Sequence, residues 1–205
     1  MRFIFLDIDG VLNKVSTKER TPSGYIFVED SKILLLKDLI DKTNAKVILS
    51  STWRSGWNDL NNELDTKDAK DFILLRSKLK EFGIELYDYT SCPITSDRGS
   101  KIKEWVSNNY KDVDSILVLD DESNIKPFNK FFVRTSFCDG LMEKHIKRGV
   151  EILLKDDFKE LSAKLDFNTP KNKNMKKKGI IASVILAILA IGIGYYVMLP
   201  AINIH

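Results

Sequence analysis

Asp7 and Asp9 stand one residue apart at the end of an apolar run, RFIFLDID, and Asp120 with Asp121 ends a second such run, SILVLDD. Runs of this kind read as buried strands, and open α/β sheets bind ligands at the carboxyl ends of their strands. Residues distant in sequence then become neighbours. Four carboxylates cannot all stay ionised side by side without a cation, so Asp7, Asp9, Asp120 and Asp121 together imply a hard divalent metal, with Mg²⁺ the default for oxygen ligands. Such a metal would attract a phosphate.

The elements that must position these groups alternate between two periodicities. After the first strand and its Asp-Gly turn, residues 13–30 are polar and carry a Pro-Ser-Gly turn before YIFV, the pattern of a hairpin or flap. SKILLLKDLIDKT (31–43) has a Ser cap and amphipathic spacing, and AKVILSS follows as a strand, completing a βαβ unit. Residues 68–82 predict a helix stopped at Gly83, then a short strand IELYDY. Residues 98–110 predict another helix before SILVLDD. KFFVRT reads as a last short strand, followed by helices near 141–154 and 158–165. The alternation predicts an α/β open parallel sheet with helices on both faces and no insertion large enough for a cap domain.

At this point the residues match a known pattern. LDIDGVLN resembles motif I of the haloacid dehalogenase (HAD) superfamily of phosphotransferases. The resemblance implies that Asp7 is a nucleophile forming an aspartyl-phosphate and that Asp9 is the general acid and base. VILSS resembles motif II, whose hydroxyl contacts the transferring phosphoryl group, and Ser50 and Ser51 compete for that role. RGSKIKEW offers Arg98 and Lys101 for the basic residue of motif III, with Arg98 favoured. VLDDES resembles motif IV, with Asp121 the favoured direct metal ligand beside Asp120; Asn124 stands where the family often has a further acid. TWR after motif II, TxxP from Thr90 to Pro93, RGxxIxxW and Asp139 to Leu141 extend the likeness, over nearly all of residues 1–155, to small capless HAD domains also found in multidomain RNA-repair proteins. The resemblance implies a Mg²⁺-dependent phosphomonoester hydrolase, acting on a nucleic-acid end, a nucleotide or a phosphoprotein. Its rivals are a non-catalytic binding or tethering module, and a phosphatase of lipid headgroups.

Composition narrows the remainder. With 205 residues, 43% of them hydrophobic, the chain suits one globular domain, placed at 1–166. Its net charge of +3 comes from five lysines in Lys171–Lys178; without them acidic residues slightly outnumber basic ones, so no global basic surface argues for nucleic acid. Two histidines and two cysteines without CxxC pairing exclude zinc fingers and thiol redox motifs. Cys92 and Cys138 are expected to be free packing residues, and His145 a surface residue. Trp53, Arg54 and Trp57 could stack on a substrate base or sugar, although aromatic residues at such spacing more often pack in a core.

Residues 179–199 (GIIASVILAILAIGIGYYVML) carry no charge, enough to cross roughly 30 Å of hydrocarbon as a transmembrane helix. They follow a polar, basic linker (167–178) and precede a short tail (200–205). The lysines ahead of the span place the large domain on the cytoplasmic side by the positive-inside rule, with lipid as a partner of the helix.

Overall fold

The computed structural model describes residues 1–91, 97–122, 125–155 and 157–165. Cys92, Pro93, Asn124, the linker, the 179–199 stretch and the tail lie outside them. Among the described residues no helix is long and apolar enough to cross a membrane.

Five parallel strands form one sheet in the order β3-β2-β1-β4-β5: β1 (Arg2–Leu6), β2 (Lys46–Leu49), β3 (Leu86–Tyr89), β4 (Ser115–Asp120) and β5 (Phe132–Arg134). β1 is central because it is apolar on both faces. Phe3 to Leu6 are all buried, and Leu6 pairs with Leu49 on one side and Leu119 on the other. Side chains alternate across the sheet. Phe3 and Phe5 meet the edge of Trp105 from α4 (Arg98–Asn109), with ring centroids at 5.0 and 5.4 Å. On the opposite face, α5 (Glu143–Leu154) crosses β4 at Leu117, the register partner of Ile4, and packs on α1 (Asp30–Thr43). Helices therefore cover both faces, as the alternation of elements predicts.

The boundaries of α1, α3 (Lys67–Glu81), α4 and α6 (Phe158–Lys164) fall within two residues of the sequence expectation. One helix does not follow from the sequence. α2 (Arg54–Asn61, RSGWNDLN) consists largely of poor helix formers, and its stability is tertiary: Trp57 stacks on Phe72 of α3 at 5.2 Å and meets Tyr89 of β3 at 4.9 Å. Between β1 and α1 the polar segment folds back through a single antiparallel bridge, Arg20 to Ile26, in keeping with the expected flap.

The strand order reverses beside β1, since β2 and β3 lie to one side of it and β4 and β5 to the other. Open α/β sheets bind their ligands at that switch point. Here it lies between the carboxyl ends of β1 and β4.

Candidate active site

The parallel ladder runs one residue past each strand, and that extension lines up the rim. The amide of Asp7 donates to Leu119 O (3.0 Å), Ser50 to Leu6 O (2.8 Å), Thr90 to Leu49 O (3.0 Å) and Thr135 to Asp120 O (2.9 Å). Short polar side chains thus emerge from the ends of β1, β2, β3 and β5, beside Asp120, the last residue of β4. All are buried, and among the described residues the hydroxyls of Ser50, Thr90 and Thr135 have no hydrogen-bond partner. Buried hydroxyls without a partner are few in native structures, and these cluster beside the buried carboxylates.

Asp7, Asp120 and Asp121 each bring a carboxylate oxygen within 4.8 Å of the other two. Arg98, the first residue of α4, reaches into this group: Nη2 lies 3.0 Å from Asp7, Nε 3.2 Å from Asp120 and Nη2 3.4 Å from Glu122, while Nη1 donates to the Ser50 carbonyl. A cation at a helix N-terminus opposes the helix dipole, and these carboxylates supply the compensation. Asp97 caps the same helix by accepting from the Ser100 amide (3.0 Å). Lys101 lies half-buried in the first turn of the helix; the ion pairs with Asp7 and Asp120 come from Arg98.

Burial pushes the Asp7 carboxyl above its usual range, against the opposing pull of Arg98, the Ser51 side chain and the Ile8 amide. Burial, reinforced by Asp7, pushes Asp120 up to about 7, and burial also raises Asp121. Burial works to lower Arg98, but Asp7, Asp120 and Glu122 outweigh it and hold its pKa up. The Ser51 hydroxyl, like that of Ser50, has no hydrogen-bond partner among the described residues, and the Ser50 carbonyl accepts from Arg98.

Asp9 faces a different wall. Its Oδ1 accepts from Asn13 Nδ2 (2.9 Å) and its Oδ2 from Trp53 Nε1 (3.2 Å), so two neutral donors fix it, and its side chain lies outside the three-carboxylate group. Asn13 is fully buried and also accepts from the Gly10 amide (3.0 Å), closing the turn. Gly10 has φ +69°, and a Cβ there would sit 2.5 Å from the Asp121 carboxylate, so the turn tolerates glycine alone. Asn13 and Glu122 are the functional residues that the sequence motifs do not single out. Asn13 lies inside LDIDGVLN and Glu122 directly after the Asp pair, where their polarity was the available signal.

A profile of the HAD domain in Swiss Army Knife RNA repair proteins matches residues 3–146. The chain belongs to this HAD family. No curated protein and no solved structure matches it. HAD domains form a superfamily of hydrolases and phosphatases that generally use Mg²⁺. The residues of this HAD domain fit such an ion: three clustered carboxylates, with Glu122 beside them, face one guanidinium and leave a net negative charge and oxygen donors for a hard divalent cation.

Three expectations for single residues change with the structure. His145 is buried, not on the surface; its Nδ1 accepts from the Met142 amide (3.1 Å) at the start of α5. Cys138 is free but exposed, and so is no packing residue. Of the three candidates for stacking, Arg54 is buried and donates to the Ser50, Ser51 and Ser91 carbonyls, and Trp57 packs in the core; only Trp53 stays beside the carboxylates.

Proposed function

We propose that this HAD domain is a Mg²⁺-dependent phosphomonoester hydrolase that works through an aspartyl-phosphate on Asp7. The observation that carries this reading is the unequal treatment of two carboxylates one residue apart. Asp7 is buried and ion-paired to a guanidinium, as a nucleophile meeting an anionic phosphate requires, whereas Asp9 is oriented by neutral donors on the facing wall. An Asp7 oxygen attacks phosphorus as the bond to the ester oxygen breaks in line, and Asp9 gives that oxygen its proton. Asp9 then takes a proton from the water that attacks phosphorus, releasing inorganic phosphate and free Asp7. Arg98 and the hydroxyls of Ser50 or Ser51 stabilise the phosphoryl oxygens, and Lys101 adds positive charge at the start of α4. A Mg²⁺ held by Asp7, Asp120 and Asp121 would supply further neutralisation of those oxygens.

The substrate class we favour is a nucleic-acid end or nucleotide, supported by the RNA repair proteins that carry the same domain. We further propose that residues 179–199 anchor the domain to a membrane on its cytoplasmic side, on the support of their lack of charge and the preceding lysines. The test is phosphate release by the full-length chain from an aryl phosphate and a 3′-phosphorylated oligonucleotide. Release that stops with EDTA and with Asp7→Asn is the expected result. Release that persists in either case would sink the mechanism.

A further inference from the structure

A recess of about 110 Å³ opens on the Asp9 side of the site, walled by Asp9, Tyr25, Trp53, Ser55, Asp68 and Asp71. Its size exceeds the share of a single water, about 30 Å³ in the liquid, so a small ring can enter. Close packing fixes two of its walls relative to each other. α2 and α3 approach so tightly that a Cβ at Gly56 would sit 2.1 Å from Asp68 O, and Ser55 Oγ donates to Asp68 (2.9 Å). The flap supplies the remaining wall through Tyr25, whose ring stands 6.3 Å from that of Trp53, and Thr21 Oγ1 donates to Asp71 Oδ2 (3.0 Å).

The polar chemistry of this recess is one-sided. Its walls carry three carboxylates and no Lys or Arg, which excludes it as a seat for phosphate. Asp71 is 2% exposed, and its Oδ1 is a buried oxygen with no donor among the described residues. Burying an acceptor unpaired is costly, so the arrangement calls for a ligand N–H at that point. One open oxygen is too few for a hard divalent ion, which takes six or more. The aromatic wall asks for a flat ring.

We infer that this recess is a nucleobase subsite, in which the exposed Tyr25 ring stacks on the face of the base, Trp53, tilted 54° to Tyr25, walls its side, and Asp71 accepts an N–H from its edge. The inference rests on the proposed phosphatase reading for the placement of the phosphate. Trp53 joins the two parts, since its indole N–H holds Asp9 while its ring lines the recess. A base seated there belongs to the nucleotide whose phosphate reaches Asp7. Asp71 favours bases with an exocyclic amino group; the ring N–H of uracil lies between two carbonyls, which a carboxylate repels.

The test uses nucleosides, which carry no phosphate and need no turnover. The Trp53 indole N–H signal of the full-length chain in mild detergent, assigned by its loss in Trp53→Phe, is followed as cytidine or uridine is added. Cytidine is expected to bind about tenfold more tightly than uridine, the value of one hydrogen bond to a charged acceptor. Asp71→Asn should bring the ratio close to one. Equal binding by the wild-type chain, or no response to either nucleoside, overturns the subsite, and so does a response to N-acetyl-lysine amide alone, which would mark a phosphopeptide. Because the wild-type comparison stands without the variant, misfolding of Asp71→Asn cannot hide the answer. Phosphate release without nucleoside selectivity removes the subsite and keeps the phosphatase; selective binding without phosphate release does the reverse.

Discussion

The two walls of the site hold their carboxylates by opposite means. On the Arg98 wall, Asp7, Asp120 and Asp121 crowd together with charge against charge, and burial raises the pKa of all three. On the Trp53 wall, Asp9 has no ionic partner among the described contacts and two neutral donors in fixed positions. The first wall is loaded with excess negative charge that a cation would offset in the proposed mechanism. The second is settled before any ligand arrives. The proposed mechanism uses this division, with the nucleophile on the first wall and the proton carrier on the second.

Breaking the first wall should have the largest effect. Arg98→Leu leaves buried carboxylates uncompensated, at a cost of about 3 kcal/mol. In a domain of this size that lowers Tm by roughly 8 °C. Mg²⁺ should recover part of the loss in the variant, because it supplies the missing positive charge. An unchanged Tm in thermal unfolding with EDTA would show that the carboxylates do not depend on Arg98.

Breaking the second wall should leave metal binding alone and reduce turnover, with a smaller loss of stability than Arg98→Leu because a ring still fills the buried site. Trp53→Phe keeps a ring in place but removes the donor to Asp9. We expect kcat for an aryl phosphate to fall about tenfold, the worth of one hydrogen bond to a charged group. The rise of Tm with Mg²⁺ should persist. If that rise is lost as well, the two walls are not independent.

The smallest effect is on the pH dependence of stability, where Asp120 of the Arg98 wall and His145 at the start of α5 should differ in sign. Asp120 titrates near 7 in the fold against 3.8 when unfolded, so the folded metal-free chain holds an extra proton between those values and gains stability as pH falls through that window. His145 acts in the opposite direction. Burial, with Lys144 and Lys32 nearby, holds it below its unfolded value of 6.5, so its contribution is fully present above 6.5 and is lost as pH falls through its folded pKa. Protonation would also remove the Nδ1 acceptor that closes the first turn of α5. His145→Gln keeps an acceptor without the titration, and in EDTA between pH 5 and 7 it should raise Tm relative to wild type by at most about 2 °C. A variant whose Tm profile overlays that of the wild type would remove His145 from the account.

The Arg98 wall was the more legible of the two in the sequence, and the reason is physical. Asp7, Asp120 and Asp121 end apolar runs whose period marks them as buried parallel strands, so their meeting follows from topology. Arg98 follows from its motif. The Trp53 wall is assembled by tertiary contacts that leave little trace along the chain. α2 exists because Trp57 packs on Phe72 and Tyr89, and the Asn13 side chain that holds Asp9 sits in a turn that could equally have been solvated. His145 reads as exposed among charged neighbours, and only the backbone geometry at the start of α5 shows why it is buried.

The most direct test of the central claim is an acid quench of the Asp9→Asn variant of the full-length chain during turnover, with Mg²⁺, of an aryl phosphate whose leaving group departs without a proton, followed by mass spectrometry of the peptide containing residues 2–14. Without Asp9 to activate water, the account predicts a hydroxylamine-labile phosphate on Asp7 that is absent from Asp7→Asn. Turnover with no phosphate on that peptide, or phosphate on another residue, would contradict it.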